Sequence, residues 1–193
     1  MGRPARTRKG SYTWDDFVAL PDDDRRELID GELVEVEVVP GQIHEFIVLI
    51  LGSYLVAYAR RRGGRALASG YKVRVSDRRG VMPDIQYFAR GNEPDESQDS
   101  GLADGRPDVA VEILSPSSRR YDRIVKLEYY AAIKVPEYWI VDPKKRTLHR
   151  LVLTKKGYAI SAVLEGDATF APKEFPGLKI PLGELWTMAP KKK

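Results

Sequence analysis

The chain has 193 residues, 42% of them hydrophobic and 31% charged, the size and balance of one folded domain and not of a disordered chain. Cysteine is absent and histidine occurs twice, which excludes disulfides and thiolate zinc sites and argues against a histidine-rich one. A working metal would need oxygen ligands, which points to magnesium or manganese.

The longest unbroken apolar run, Phe46 to Leu51, is six residues, too short for a membrane span. No apolar stretch follows the basic N-terminus, so no secretory signal is expected and the chain reads as cytoplasmic. The net charge is +4, but Arg3, Arg6, Arg8, Lys9 and Lys191 to Lys193 sit at the ends. Without those seven, 25 basic residues face 28 acidic ones, so the body carries −3. The basicity therefore belongs to a basic arm over residues 1–11 and a tail over 188–193 around one domain at 12–187. Such arms can touch phosphates, although solvated ends are the commoner case.

In chain order, Thr13 with Asp16 reads as a helix-capping pair before Phe17 and Leu20. Glu27-Leu28-Ile29, the turn Asp30-Gly31 and the run Leu33 to Val39 then predict a hairpin. Ile43, Phe46, Ile47, Ile50, Leu51, Tyr54, Leu55 and Tyr58 recur at helical steps and predict a long helix from about Ile43 to Arg61, stopped by Gly63-Gly64. Strands follow at Arg65 to Val75, Asp84 to Ala89 and Asp108 to Leu114, with a long mobile loop expected from Arg90 to Pro107. A second helix spans about Tyr121 to Ile133, opened by Ser115-Pro116-Ser117-Ser118. Strands at Pro136 to Val141, Thr147 to Leu153 and Tyr158 to Leu164 complete the pattern, the last two joined as a hairpin at Lys155-Lys156-Gly157. The expected fold class is mixed α/β, a mixed sheet flanked by helices.

The most informative segment is Asp108-Val109-Ala110-Val111-Glu112-Ile113-Leu114. Alternation puts Val109, Val111 and Ile113 on one face and Glu112 on the other. A glutamate so placed is partly desolvated, and its charge needs a cation, an arginine or open solvent beside it. Asp84, after Pro83, becomes a partner only if its strand lies beside that of Glu112. Asp108 is the weaker choice, because four residues of one strand separate it from Glu112 by roughly 13 Å. Lys126 lies four residues after Asp122 and four before Tyr130; spacing alone leaves a surface Asp–Lys pair and a lysine aimed at the carboxylates equally open. His44 reads as a boundary residue, His149 as structural, and Glu32 and Glu35 as solvated strand residues. Ser115 has no histidine base at recognisable spacing, and no nucleophile elbow, P-loop or dinucleotide fingerprint occurs, so serine hydrolase, NTPase and dehydrogenase readings fail.

Taken in order, Asp30-Gly31-Glu32, His44, Pro83-Asp84 and Val111 to Ser117 resemble the Uma-type family of restriction endonucleases. Asp122, Lys126, Tyr130 and Glu137 to Asp142 continue the likeness. That family belongs to the PD-(D/E)XK nuclease superfamily, and the likeness covers about residues 12–187. It implies a restriction-endonuclease-like fold and a magnesium-dependent hydrolase of DNA. Asp84 and Glu112 would be the catalytic metal-binding carboxylates. The superfamily's lysine two residues after the glutamate is replaced here by Leu114, and the likeness implies that Lys126 takes its place from the helix. Glu32, His44, Asp122 and Tyr130 match family positions near the site. Lys134 stands where the family usually has glycine. A homodimer would be the simplest way to cut both strands. The competing class is a nuclease fold kept for binding nucleic acid or protein, which the acidic body and Leu114 keep open.

Overall fold

The computed structural model describes residues 10–21, 23–35, 41–68, 70–115 and 122–187, with the backbone alone at 122 and 123. Helix α1 (Trp14–Val18) opens with the expected capping box, in which Thr13 and Asp16 satisfy each other's backbone N–H. Strands β1 (Arg26–Ile29) and β2 (Glu32–Glu35) form the hairpin. Asp30 at φ 51° and Gly31 at φ 83° both take the left-handed turn that matches the twist of the two strands.

Helix α2 (Gln42–Arg62) follows. By length and composition it is apolar enough to cross a membrane, which the longest apolar run alone did not suggest. In this fold its Ile47, Val48, Leu51, Leu55 and Tyr58 are buried in a core against the sheet. Gly63 and Gly64 end it with φ of 81° and 100°.

The remaining strands are β3 (Arg65–Ala68), β4 (Lys72–Ser76), β5 (Arg79–Val81), β6 (Ile85–Phe88), β7 (Gly101–Leu102), β8 (Val109–Ile113), β9 (Glu137–Asp142), β10 (Thr147–Thr154), β11 (Gly157–Glu165), β12 (Thr169–Phe170) and β13 (Ile180–Pro181). They build two larger sheets instead of the single one expected, ordered β2-β1-β5-β4-β7 and β11-β10-β9-β8-β6-β3, with β12-β13 a separate pair. In the six-stranded sheet β8 and β9 run parallel and every other pair is antiparallel. A π-helical turn, Asp122–Lys126, leads into helix α3 (Leu127–Ala132). The residues before it, with Pro116 to Ser118 of the expected helix opening, lie outside the described residues.

Both faces of the six-stranded sheet are core. Val109, Val111 and Ile113 of β8 face α2 and the C-terminal segment, while Ala110 and the following Leu114 face α3 and the five-stranded sheet. The alternation expected along this strand therefore holds, and Glu112 points into the second core.

Two expectations need correction. The run from Arg65 to Val75 is two strands in two different sheets, broken around Gly70 at φ 90°. The segment 90–107 carries secondary structure of its own. It carries a short 3-10 turn (Glu96–Gln98) and contributes β7, parallel to β4. Tyr71 Oη donates to the Gln98 carbonyl at 2.7 Å, and Gln98 Oε1 accepts from the Ala103 and Asp104 amides.

Candidate active site

Strand pairing sets the two expected acidic residues opposite each other. The antiparallel register joins Ile85 to Val111 and Gln86 to Ala110, and one further step sets Asp84 opposite Glu112. Asp84 Oδ2 accepts a 2.7 Å hydrogen bond from the Ile113 amide, the residue after Glu112. It also lies 3.2 Å from His44 Nε2 in the first turn of α2. A histidine that looks like a boundary residue in sequence is thus 6% exposed and set against Asp84. Solvent reaches the site at Asp84, whose side chain is 18% exposed, whereas that of Glu112 is 2% exposed.

Glu112 is compensated from the helical side. The Lys126 ammonium lies 2.9 Å from Glu112 Oε1, and the Tyr130 hydroxyl donates to the same oxygen at 2.6 Å. Lys126 closes the π-helical turn and Tyr130 follows four residues later in α3, one helical step that aims both at one carboxylate. Single π turns inside helices recur at functional sites. Burial, reinforced by the Glu112 charge, raises the Tyr130 phenol well above its ordinary pKa. It therefore remains a donor across the neutral range.

Glu27 of β1 also belongs to this cluster, although no motif or spacing singles it out. Its Oε1 lies 3.1 Å from Lys126 Nζ and accepts a 2.9 Å hydrogen bond from the Met82 amide, two residues before Asp84. A carboxylate of the five-stranded sheet thus ties together the helical lysine and the segment leading into Asp84. Glu32 sits on the same sheet face as Glu27, since Glu27 pairs with Val34 and Ile29 with Glu32. The side chain of Asp122 lies outside the described residues. Asp108 is bound elsewhere, accepting from the Ala89 amide at 2.6 Å and from Asn92 Nδ2 at 2.9 Å.

The donor set suits a hard cation. Among the described residues no group of three or more His, Cys, Asp or Glu side chains forms a metal cage. Two carboxylates with the remaining positions left to water is the usual arrangement for magnesium, while calcium and structural zinc ask for more protein ligands.

Comparisons with known proteins give a family and a shared fold. The Uma2 family, described as "Putative restriction endonuclease", matches residues 14–188. The crystal structure of a "putative nuclease belonging to DUF820" from Anabaena variabilis superimposes with a TM-score of 0.73 at 22% identity, over 90% of this chain and 97% of that one. This shows that the fold is shared. No curated protein matches the sequence.

Proposed function

The chain belongs to the Uma2 family of the restriction endonuclease description, and from that premise we propose that it is a magnesium-dependent endonuclease that hydrolyses DNA phosphodiester bonds. The observation that carries the reading is the placement of Asp84 and Glu112 on neighbouring strands with the Lys126 ammonium 2.9 Å from Glu112. Asp84 and Glu112 would hold the cation, which when bound lowers the pKa of a water and draws charge from the scissile phosphate.

The protein's own groups do the rest. Asp84, the more exposed carboxylate, faces the side from which a phosphate enters. The Ile113 amide holds its Oδ2 with a 2.7 Å hydrogen bond, and His44 Nε2 lies 3.2 Å from the same oxygen. Lys126 supplies an N–H to orient the attacking water and a positive charge that meets the charge developing on the phosphate. Tyr130, held protonated, keeps Glu112 in one rotamer. No covalent intermediate is needed, which accords with a chain that has no cysteine.

A homodimer belongs to this reading, because two strands are cut most simply by two sites. Leu49 and Val56, 69% and 37% exposed, lie on α2 beside β3, the outer strand of the six-stranded sheet. Such a patch supports contact with a second copy.

The test is cleavage of supercoiled plasmid and single-stranded DNA with magnesium, manganese or EDTA. Cleavage that needs metal and falls more than about 100-fold in Glu112→Gln is expected. Folded wild-type protein that cuts neither substrate with either metal would sink the nuclease reading and favour a binding module.

A further inference from the structure

We propose that Glu27 is a positioning residue of this site: it shares the buried Lys126 ammonium with Glu112 and draws it aside when Glu112 binds a divalent cation. This role rests on the metal-dependent reading above.

The geometry is that of a shared charge. Lys126 Nζ lies between Glu112 Oε1 at 2.9 Å and Glu27 Oε1 at 3.1 Å. Lys126, Glu112 and Glu27 are 4%, 1% and 3% exposed, so water screens none of these contacts well. A lysine facing Glu112 alone would neutralise it, and a neutralised carboxylate is a poor ligand for a dication. With Glu27 as a second anion, the three groups together keep a net charge of −1, and Asp84 adds to it. The ammonium can then lean towards Glu27 as positive charge arrives at Glu112, and it need not be buried against a like charge.

Glu27 is also well placed to stay fixed. Its Oε1 accepts the Met82 amide hydrogen at 2.9 Å, and its own strand is paired on both sides, to β2 and to β5. The anion that receives the lysine is therefore held by the backbone segment that delivers Asp84.

The experiment is isothermal titration of the full-length protein with manganese, on wild type and Glu27→Gln, alongside circular dichroism and plasmid cleavage. Glutamine keeps a carbonyl oxygen for the Met82 amide and removes only the charge. The expected result is a folded variant whose manganese Kd rises about tenfold, the scale of a lost supporting partner around a metal. Its kcat falls while KM for DNA stays unchanged, and circular dichroism with the titration stoichiometry separates this from a loss of folded protein, which would lower the stoichiometry and leave Kd unchanged. Should Glu27→Gln unfold, Glu27→Asp carries the test: it keeps the charge but retracts it by one methylene, and a raised Kd is again expected. A folded variant with wild-type manganese affinity would overturn the role while leaving the nuclease reading intact. A wild-type chain that binds no manganese would overturn the metal reading, and this role with it.

Discussion

Lys126 is the cation shared by the two buried carboxylates Glu112 and Glu27. Two carboxylate oxygens lie within 3.1 Å of its ammonium, and the side chain is 5% exposed. Lys126→Ala takes the ammonium away from both Glu112 and Glu27, and removing one partner of a buried pair costs about 3–5 kcal/mol. Tyr130→Phe removes one donor from Glu112 and leaves the ammonium in place, so about 1–3 kcal/mol is expected. Urea unfolding of the two variants beside wild type checks the order; a Tyr130→Phe loss equal to that of Lys126→Ala would contradict it. Any fall in cleavage by the lysine variant must therefore be measured where it is still folded. At this scale Glu112 was legible because strand alternation sets it on a face of its own, between valine and isoleucine. Asp84 and Lys126 needed the ordered likeness to a family as well. Glu27 carries no local signal, since a glutamate between Arg26 and Leu28 in a short strand looks like any solvated residue. Only the packing of one sheet against the helical segment brings it to the lysine. His44 likewise gains meaning only from the 3.2 Å approach to Asp84.

Elements set by periodicity were read well, and those set by distant side chains were not. The long helix and the β10–β11 hairpin are fixed by patterns a few residues long, and both occur as expected. The break between β3 and β4 depends on which sheet each strand joins, and no window on the sequence holds that information. The segment 90–107 has the composition of a loop, yet Tyr71 binds its backbone from outside and Gln98 and Asn92 bind it from within. Helix α3 shows a further departure that can be tested. It ends with the Val135 amide on the Tyr130 carbonyl at 2.9 Å and the Lys134 amide on that of Ala131 at 3.0 Å. That pair of bonds places Lys134 in the left-handed position, at φ 60°, where helices usually carry glycine. A non-glycine residue there costs about 1–2 kcal/mol, and glycine gives back about 0.5–1 kcal/mol through unfolded-state entropy. Lys134→Gly should therefore leave cleavage unchanged and stabilise the fold by less than about 1 kcal/mol in chemical denaturation. A clear destabilisation would mean that the lysine side chain contributes something the cap geometry does not reveal.

At the scale of the whole molecule, the six-stranded sheet is closed on one side by α2 and the C-terminal segment, whose Phe170, Phe175, Leu178, Ile180, Leu182 and Leu185 are all buried. Its other side is closed by α3 and the five-stranded sheet. This two-sided closure leaves several phenols inside or against the core, and it gives the fold a pH limit. Burial pushes Tyr71 and Tyr87 up to about 12. The hydrogen bond that Tyr54 donates to Glu184, joining α2 to the C-terminal segment, takes Tyr54 to about 12 as well. In the unfolded chain the same phenols titrate near 10. Below pH ~10 both states hold these protons and the stabilisation is complete. Between about 10 and 12 the unfolded chain releases protons that the folded chain keeps, so the unfolded state gains and stability falls as pH rises. The urea midpoint should accordingly stay level from about pH 8 to pH 9 and drop above about pH 10. In Tyr71→Phe, which lacks one of these groups, the drop should be shallower than in wild type. A midpoint that holds steady through about pH 11 would mean that the phenols reach solvent far more readily than their packing implies.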